Sequence, residues 1–143
     1  MKYLHSADQL SPSDAVCYGL ENVTSGEACR IQRLASPDGA DLHTLHGRHY
    51  SVQKSFLVTQ RELYDTLERL LDCRRYEQRP PVRSSPPNAI RMFAESQLVG
   101  VIELNWDNDS MLYLMDDRFS SWIFDARHPE AVLIRREFDH RLA

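Results

Sequence analysis

Leu63, Leu67, Leu70 and Leu71 recur at helical spacing in an otherwise polar stretch, and the residues just before them mark where the helix starts. Thr59-Gln60-Arg61-Glu62 has the S/T-x-x-E form of a capping box, in which the hydroxyl and the carboxylate each satisfy an N-terminal amide. The pattern predicts a helix over about 60–75, with Arg74 and Arg75 set against the negative end of its dipole. Just upstream the period changes to two. Tyr50, Val52, Phe56 and Val58 share one parity, interrupted by Lys54, while Ser51, Gln53 and Ser55 take the other. That alternation predicts a half-buried strand.

Strand-like segments stand on both sides of this unit. Upstream, 28–35 predicts a strand, Ser36-Pro37-Asp38-Gly39 a turn, and 41–45 a return strand. Downstream, 89–94, 98–106, 111–115 and 120–125 read as four strands, with Asp107-Asn108-Asp109-Ser110 as a hairpin turn. Leu98, Ile102, Leu104 and Trp106 share one face of the second of these, and Val99 and Val101 make the other face apolar at its start. After His128, a proline at a first helical position and the spacing of Ile134, Phe138 and Leu142 favour a C-terminal helix, although Val132-Leu133-Ile134 would also serve as a strand. In the first 27 residues, Ser11-Pro12-Ser13-Asp14 has the form of a helix start, and the residues after it suit either a short helix or an irregular strand.

These elements predict one α+β domain over 1–143: a single antiparallel sheet of about five to six strands, the 60–75 helix packed on it, and a possible C-terminal helix. Pro80, Pro81, Pro86 and Pro87 make 79–88 a Pro/Arg-rich loop, because proline lacks the amide donor that an element interior needs. The chain is not divided there, since neither half offers two complete packing layers.

Composition narrows the class but not the activity. A content of 42% hydrophobic and 27% charged residues is that of an ordinary globule, and the net charge of −4 argues against a general nucleic-acid binder. Three cysteines without a C-x-x-C pair suit reduced thiols, and neither an apolar leader nor a membrane-length apolar run is evident. A cytoplasmic protein with no membrane association is the expectation. Five unclustered glycines leave no phosphate-loop or dinucleotide fingerprint, and no cofactor is expected.

Three constellations carry candidate chemistry. His43, His46 and His49 recur every third residue, and three imidazoles plus water would make a metal-dependent hydrolase. On one strand, however, His46 would point away from the other two. Glu95, Glu103, Asp107, Asp109, Asp116 and Asp117 form an acidic run with no lysine or arginine between them, suited to a partner-binding surface at Asp107, Asp109, Asp116 and Asp117. Carboxylates of this kind also hold Mg²⁺ in nucleases, but Glu103 is followed by Leu104-Asn105-Trp106 and not by the lysine such sites want. Arg74, Arg75, Arg79, Arg83 and Arg91 face only Glu77 over 74–91, a basic segment that could take nucleic acid. Segregation of the two charge runs favours a non-catalytic module that binds a protein partner, such as an inhibitor, immunity or anti-defence accessory protein. A nucleic-acid-binding accessory protein and the histidine hydrolase are the rivals, and the oligomeric state is left open.

Overall fold

The computed structural model describes residues 19–43, 48–75, 85–115 and 118–143, with backbone only at 43, 74, 75, 118–120 and 122. After a 3-10 turn at Leu20–Asn22 come β1 (Ser25–Leu34), β2 (Leu42–His43), β3 (His49–Thr59), α1 (Gln60–Asp72), β4 (Arg74–Arg75), β5 (Asn88–Ala94), β6 (Gln97–Asn105), β7 (Ser110–Met115), β8 (Arg118–Phe124) and α2 (Pro129–Arg141). The strands form one antiparallel sheet in the order β2-β3-β1-β5-β6-β7-β8-β4. Six are full strands, and the two-residue β2 and β4 are its outermost members. The α+β expectation is met, with both predicted helices present. Neither is long and apolar enough to cross a membrane.

The capping box forms as the sequence implies. Thr59 Oγ1 accepts from the Glu62 amide at 3.1 Å, and Glu62 Oε1 accepts from the Thr59 amide at 3.2 Å. Leu63, Leu67 and Leu70 then bury on the sheet. The helix is shorter than 60–75, however. It ends at Asp72, and Arg74 and Arg75 leave it to pair with Phe124 and Ile123 of β8. Pairing with β8 outweighs the dipole preference that placed these arginines in a last helical turn.

Both helices lie on one face of the sheet. Their core residues, with Ile134 and Phe138 from α2, pack against Ala28, Val58, Ile90, Met92, Ile102, Leu104, Met111, Tyr113 and Met115. Trp106 meets Phe124 and Phe138 edge to face, and its Nε1 donates to buried Asn88 Oδ1 at 2.8 Å. The proline of α2 stands in its first turn, as expected, with His128 Nδ1 accepting from the Glu130 amide at 3.1 Å. The opposite face holds a second cluster: Cys29, Ile31, Leu42, Tyr50, Ala89, Val101 and Leu114.

Two bulges correct the predicted faces. Between Arg30 and Ile31 the register skips Gln53, so Phe56 and Val58 join the helix-side core while Tyr50 and Val52 join the opposite cluster. In β6 the register skips Val99, which packs with the helix-side core and leaves Leu98 exposed. Gly100 sits beside that bulge, where a Cβ would lie 2.6 Å from the Leu114 carbonyl oxygen. The expected start of a helix at 11–14 lies outside the described residues, as does most of the Pro/Arg-rich loop, whose last member Asn88 instead opens β5.

Candidate functional site

The described members of the acidic run do not gather into one surface. Glu95 sits with φ 56° in the β5–β6 turn, at the opposite end of β6 from Asp107 and Asp109. Glu103 is buried on the face away from the helices, where Tyr50 donates to its Oε1 at 3.2 Å. Asp116 and Asp117, the other two members of the predicted partner-binding surface, lie outside the described residues.

The pair at 107 and 109 occupies an ordered turn. Asp109 adopts φ 56°, a left-handed conformation that short polar side chains tolerate. Its Oδ1 accepts from the Ala126 amide at 3.2 Å and its carbonyl from the Phe124 amide at 3.0 Å, which fastens the turn to the chain leaving β8. The Asp107 amide donates to Asn105 Oδ1 at 3.3 Å, and Ser110 Oγ is bonded to Asn108 Oδ1. Asp107 itself projects outward, its side chain 75% exposed, with Arg135 Nη2 at 3.6 Å from Oδ1. An exposed pair at that distance leaves most of the carboxylate available to solvent or a partner.

Of the basic segment, only part is described. Arg74 and Arg75 form the edge strand β4, and Arg79 and Arg83 lie outside the described residues. Arg91 is no part of an open basic surface. It stands opposite Glu27 across β1 and β5, and its guanidinium is ion-paired with Glu27 Oε1 on the face away from the helices. Its Nε is buried with no hydrogen-bond partner among the described residues.

Beside this pair lies Cys29, whose thiol donates to the Glu27 carbonyl at 3.4 Å. Burial pushes the Cys29 thiol up to about 12, opposed by Arg91 and reinforced by Glu27. Such a thiol stays protonated and is a poor nucleophile at neutral pH. Tyr50 is also raised, by burial and then by the Glu103 charge. Two polar contacts on this face thus tie strands together, Glu27 to Arg91 across β1 and β5 and Tyr50 to Glu103 between β3 and β6. No local motif announces either, because Glu27 and Arg91 meet only through strand register.

Among the histidines, His43 and His49 face one another across the β2–β3 pair, and His46 lies outside the described residues. No group of three or more His, Cys, Asp or Glu side chains among the described residues is placed to hold a metal ion. No family model matches the chain, and no curated protein or solved structure does either.

Proposed function

We propose that this protein is a non-catalytic binding module that docks on a basic protein partner through the β6–β7 turn, with Asp107 as the steering charge. An inhibitor, immunity or accessory role is the class this belongs to. The observation that carries the reading is the ordering of the turn: Asp109 is bonded to the backbone after β8 and Asp107 is left outward. A turn ordered before binding loses little conformational freedom on association, so a single exposed carboxylate there has more effect than one on a loose loop. The withdrawal of Arg91 into an ion pair weakens the nucleic-acid alternative, which needs free guanidinium forks.

The test is affinity capture from the native host on immobilised wild type and on Asp107→Asn, followed by kinetics with the recovered species. A protein partner whose association slows with salt and with Asp107→Asn supports the reading, because rim charges act mainly on the on-rate. Recovery of nucleic acid, or a protein whose association is indifferent to Asp107, overturns it.

A further inference from the structure

Among the described residues, the outer edge of β3 is open over most of its length. β2 covers it only at His49 and Tyr50, and no other described strand pairs with that side. Beyond β2, the Val52 amide is taken by Asp41 Oδ2 at 2.9 Å, and at the far end the Thr59 amide is taken by the Glu62 carboxylate. The intervening stretch, 53–58, has no partner strand on that side among the described residues. An antiparallel strand alternates its backbone groups between its two neighbours. The Thr59 amide turns away from β1, so those of Leu57 and Ser55 do as well. In keeping with this, Ile31 of β1 donates to Pro87 on the β5 side, which leaves the even-numbered residues of β1 facing β3.

The side chains on this edge are mostly uncharged. Leu57 is 77% exposed, the most exposed large apolar residue described. Lys54 is the only lysine or acid on β3, and its ammonium is engaged by the Ala143 carbonyl. An open, proline-free edge bearing an exposed leucine pairs readily with another strand unless something blunts it.

We propose that the occupant of this edge is β3 of a second copy of the chain, paired antiparallel about a two-fold axis at Leu57. The sequence around that centre is self-complementary. Leu57 meets Leu57 of the second copy, Phe56 meets Val58, and the Ser55 side chain meets that of Thr59, whose amide stays with Glu62. Each is a pairing of like with like that stabilises cross-strand neighbours, and no two charges of one sign are opposed. Because Leu57 points its backbone outward, the central pair exchanges both hydrogen bonds, with its Cα atoms about 5.5 Å apart. The contact is isologous, so it closes at two chains. The Asp107 turns, beside β7 and far across the sheet from β3, stay free in the pair.

Sedimentation of the purified full chain across a wide concentration range reads the association directly. The expected result is a reversible shift from monomer to dimer mass in wild type, and monomer throughout in Leu57→Lys, whose melting temperature equals that of the dilute wild-type monomer. Cysteine substitution then tests the register, in a Cys17→Ser background because Cys29 and Cys73 are buried. The expected separation at residue 57 falls within the range a disulfide spans. Mild oxidation should therefore link Leu57→Cys into dimers far more completely than Ser55→Cys. A wild type that stays monomeric, a dimer that survives Leu57→Lys, or equal linking at 55 and 57 would each overturn the proposal. If the monomer instead takes up an extended segment of another protein on β3, the edge is a heterologous site and the two-fold pairing is wrong.

Discussion

Tyr50 and Phe56 lie six residues apart on one strand and pack on opposite faces of the sheet. Tyr50 reaches Glu103 in the cluster away from the helices, while Phe56 meets Phe138 of α2 edge to face at 5.7 Å. The Gln53 bulge between them makes this possible, since one unpaired residue reverses the side on which all later residues fall. The two side chains share no neighbours, so their losses should add. Tyr50→Phe and Phe56→Leu, combined, should destabilise by the sum of the singles to within about 0.5 kcal/mol. Phe56→Leu with Phe138→Leu should instead show coupling of about 0.5–1.5 kcal/mol. Urea denaturation of the singles and doubles measures both.

Leu67 is fully buried at the centre of the α1 face. Leu67→Asp would bury a carboxylate without a partner and is expected to abolish cooperative unfolding, read by circular dichroism. Thr59→Ala removes one arm of the cap and should cost only about 1 kcal/mol. The amide of Thr59 holds the Glu62 carboxyl below its usual range. A depressed folded value means stability that is present above the unfolded glutamate range and is lost as pH falls through the folded value. Glu62→Gln should therefore flatten the acid limb of stability below about pH 5.

Glu27 and Arg91 neutralise one another on a largely buried face, with side chains 17% and 21% exposed. Glu27→Gln leaves the guanidinium without its counter-charge and should cost roughly 2–4 kcal/mol, within the range for a broken buried pair after allowance for partial exposure. Glu27→Leu with Arg91→Met removes both charges and should cost clearly less than the single change. Equal losses for the single and double variants would mean that the pair contributes by packing only.

Cys29 and Cys73 should resist alkylation in the folded protein, and modification of both should appear only with unfolding. Burial raises each thiol, Cys29 to about 12. The sign follows directly: a raised folded value leaves the thiols protonated where the unfolded chain would ionise. Stability is thus full below the free thiol range and declines as pH rises above about 8.5. Labelling with iodoacetamide at pH 8, with and without urea, is the measurement.

Asp107 and Asp109 should respond differently to substitution. Asp107→Asn should leave stability within about 0.5 kcal/mol of wild type, as for other exposed positions. Asp109→Asn keeps an acceptor for the Ala126 amide and tolerates positive φ, so it too should be mild. Asp109→Leu loses the acceptor and is strained there, and a loss of about 1–3 kcal/mol in urea denaturation is expected.

What could be read from the chain was local. The start of α1 is specified by Thr59 and Glu62, three residues apart, and the proline-led start of α2 by His128 and Pro129. Strand extents were legible because alternation survives within each uninterrupted run. Facing was not. Tyr50 and Phe56 keep one parity in sequence, and nothing in Gln53 announces that it is skipped. The same holds for Val99 in β6. Where the described charges of the acidic and basic runs come to lie was not legible for a related reason. Proximity in sequence stood in for proximity in space, but β-strands carry Glu95 and Asp107 to opposite ends of the domain and bring Arg91 to Glu27, 64 residues away. Pairings of that separation depend on strand order, which no local signal encodes.

That strand order also bears on how the chain is made. The β1–β3 pair is complete once residue 59 has been synthesised, and α1 then carries the chain across to β4. Arg74 and Arg75 find their partners only at Phe124 and Ile123, and β5 must first add to the free flank of β1. Sheet formation therefore begins at one side and extends in chain order through β5 to β8, and the β4 edge closes last, a non-local pairing of the kind that slows folding. A ribosome paused after α1 would hold a nascent chain whose β1 has one finished flank and one bare flank, open to any strand that arrives before β5.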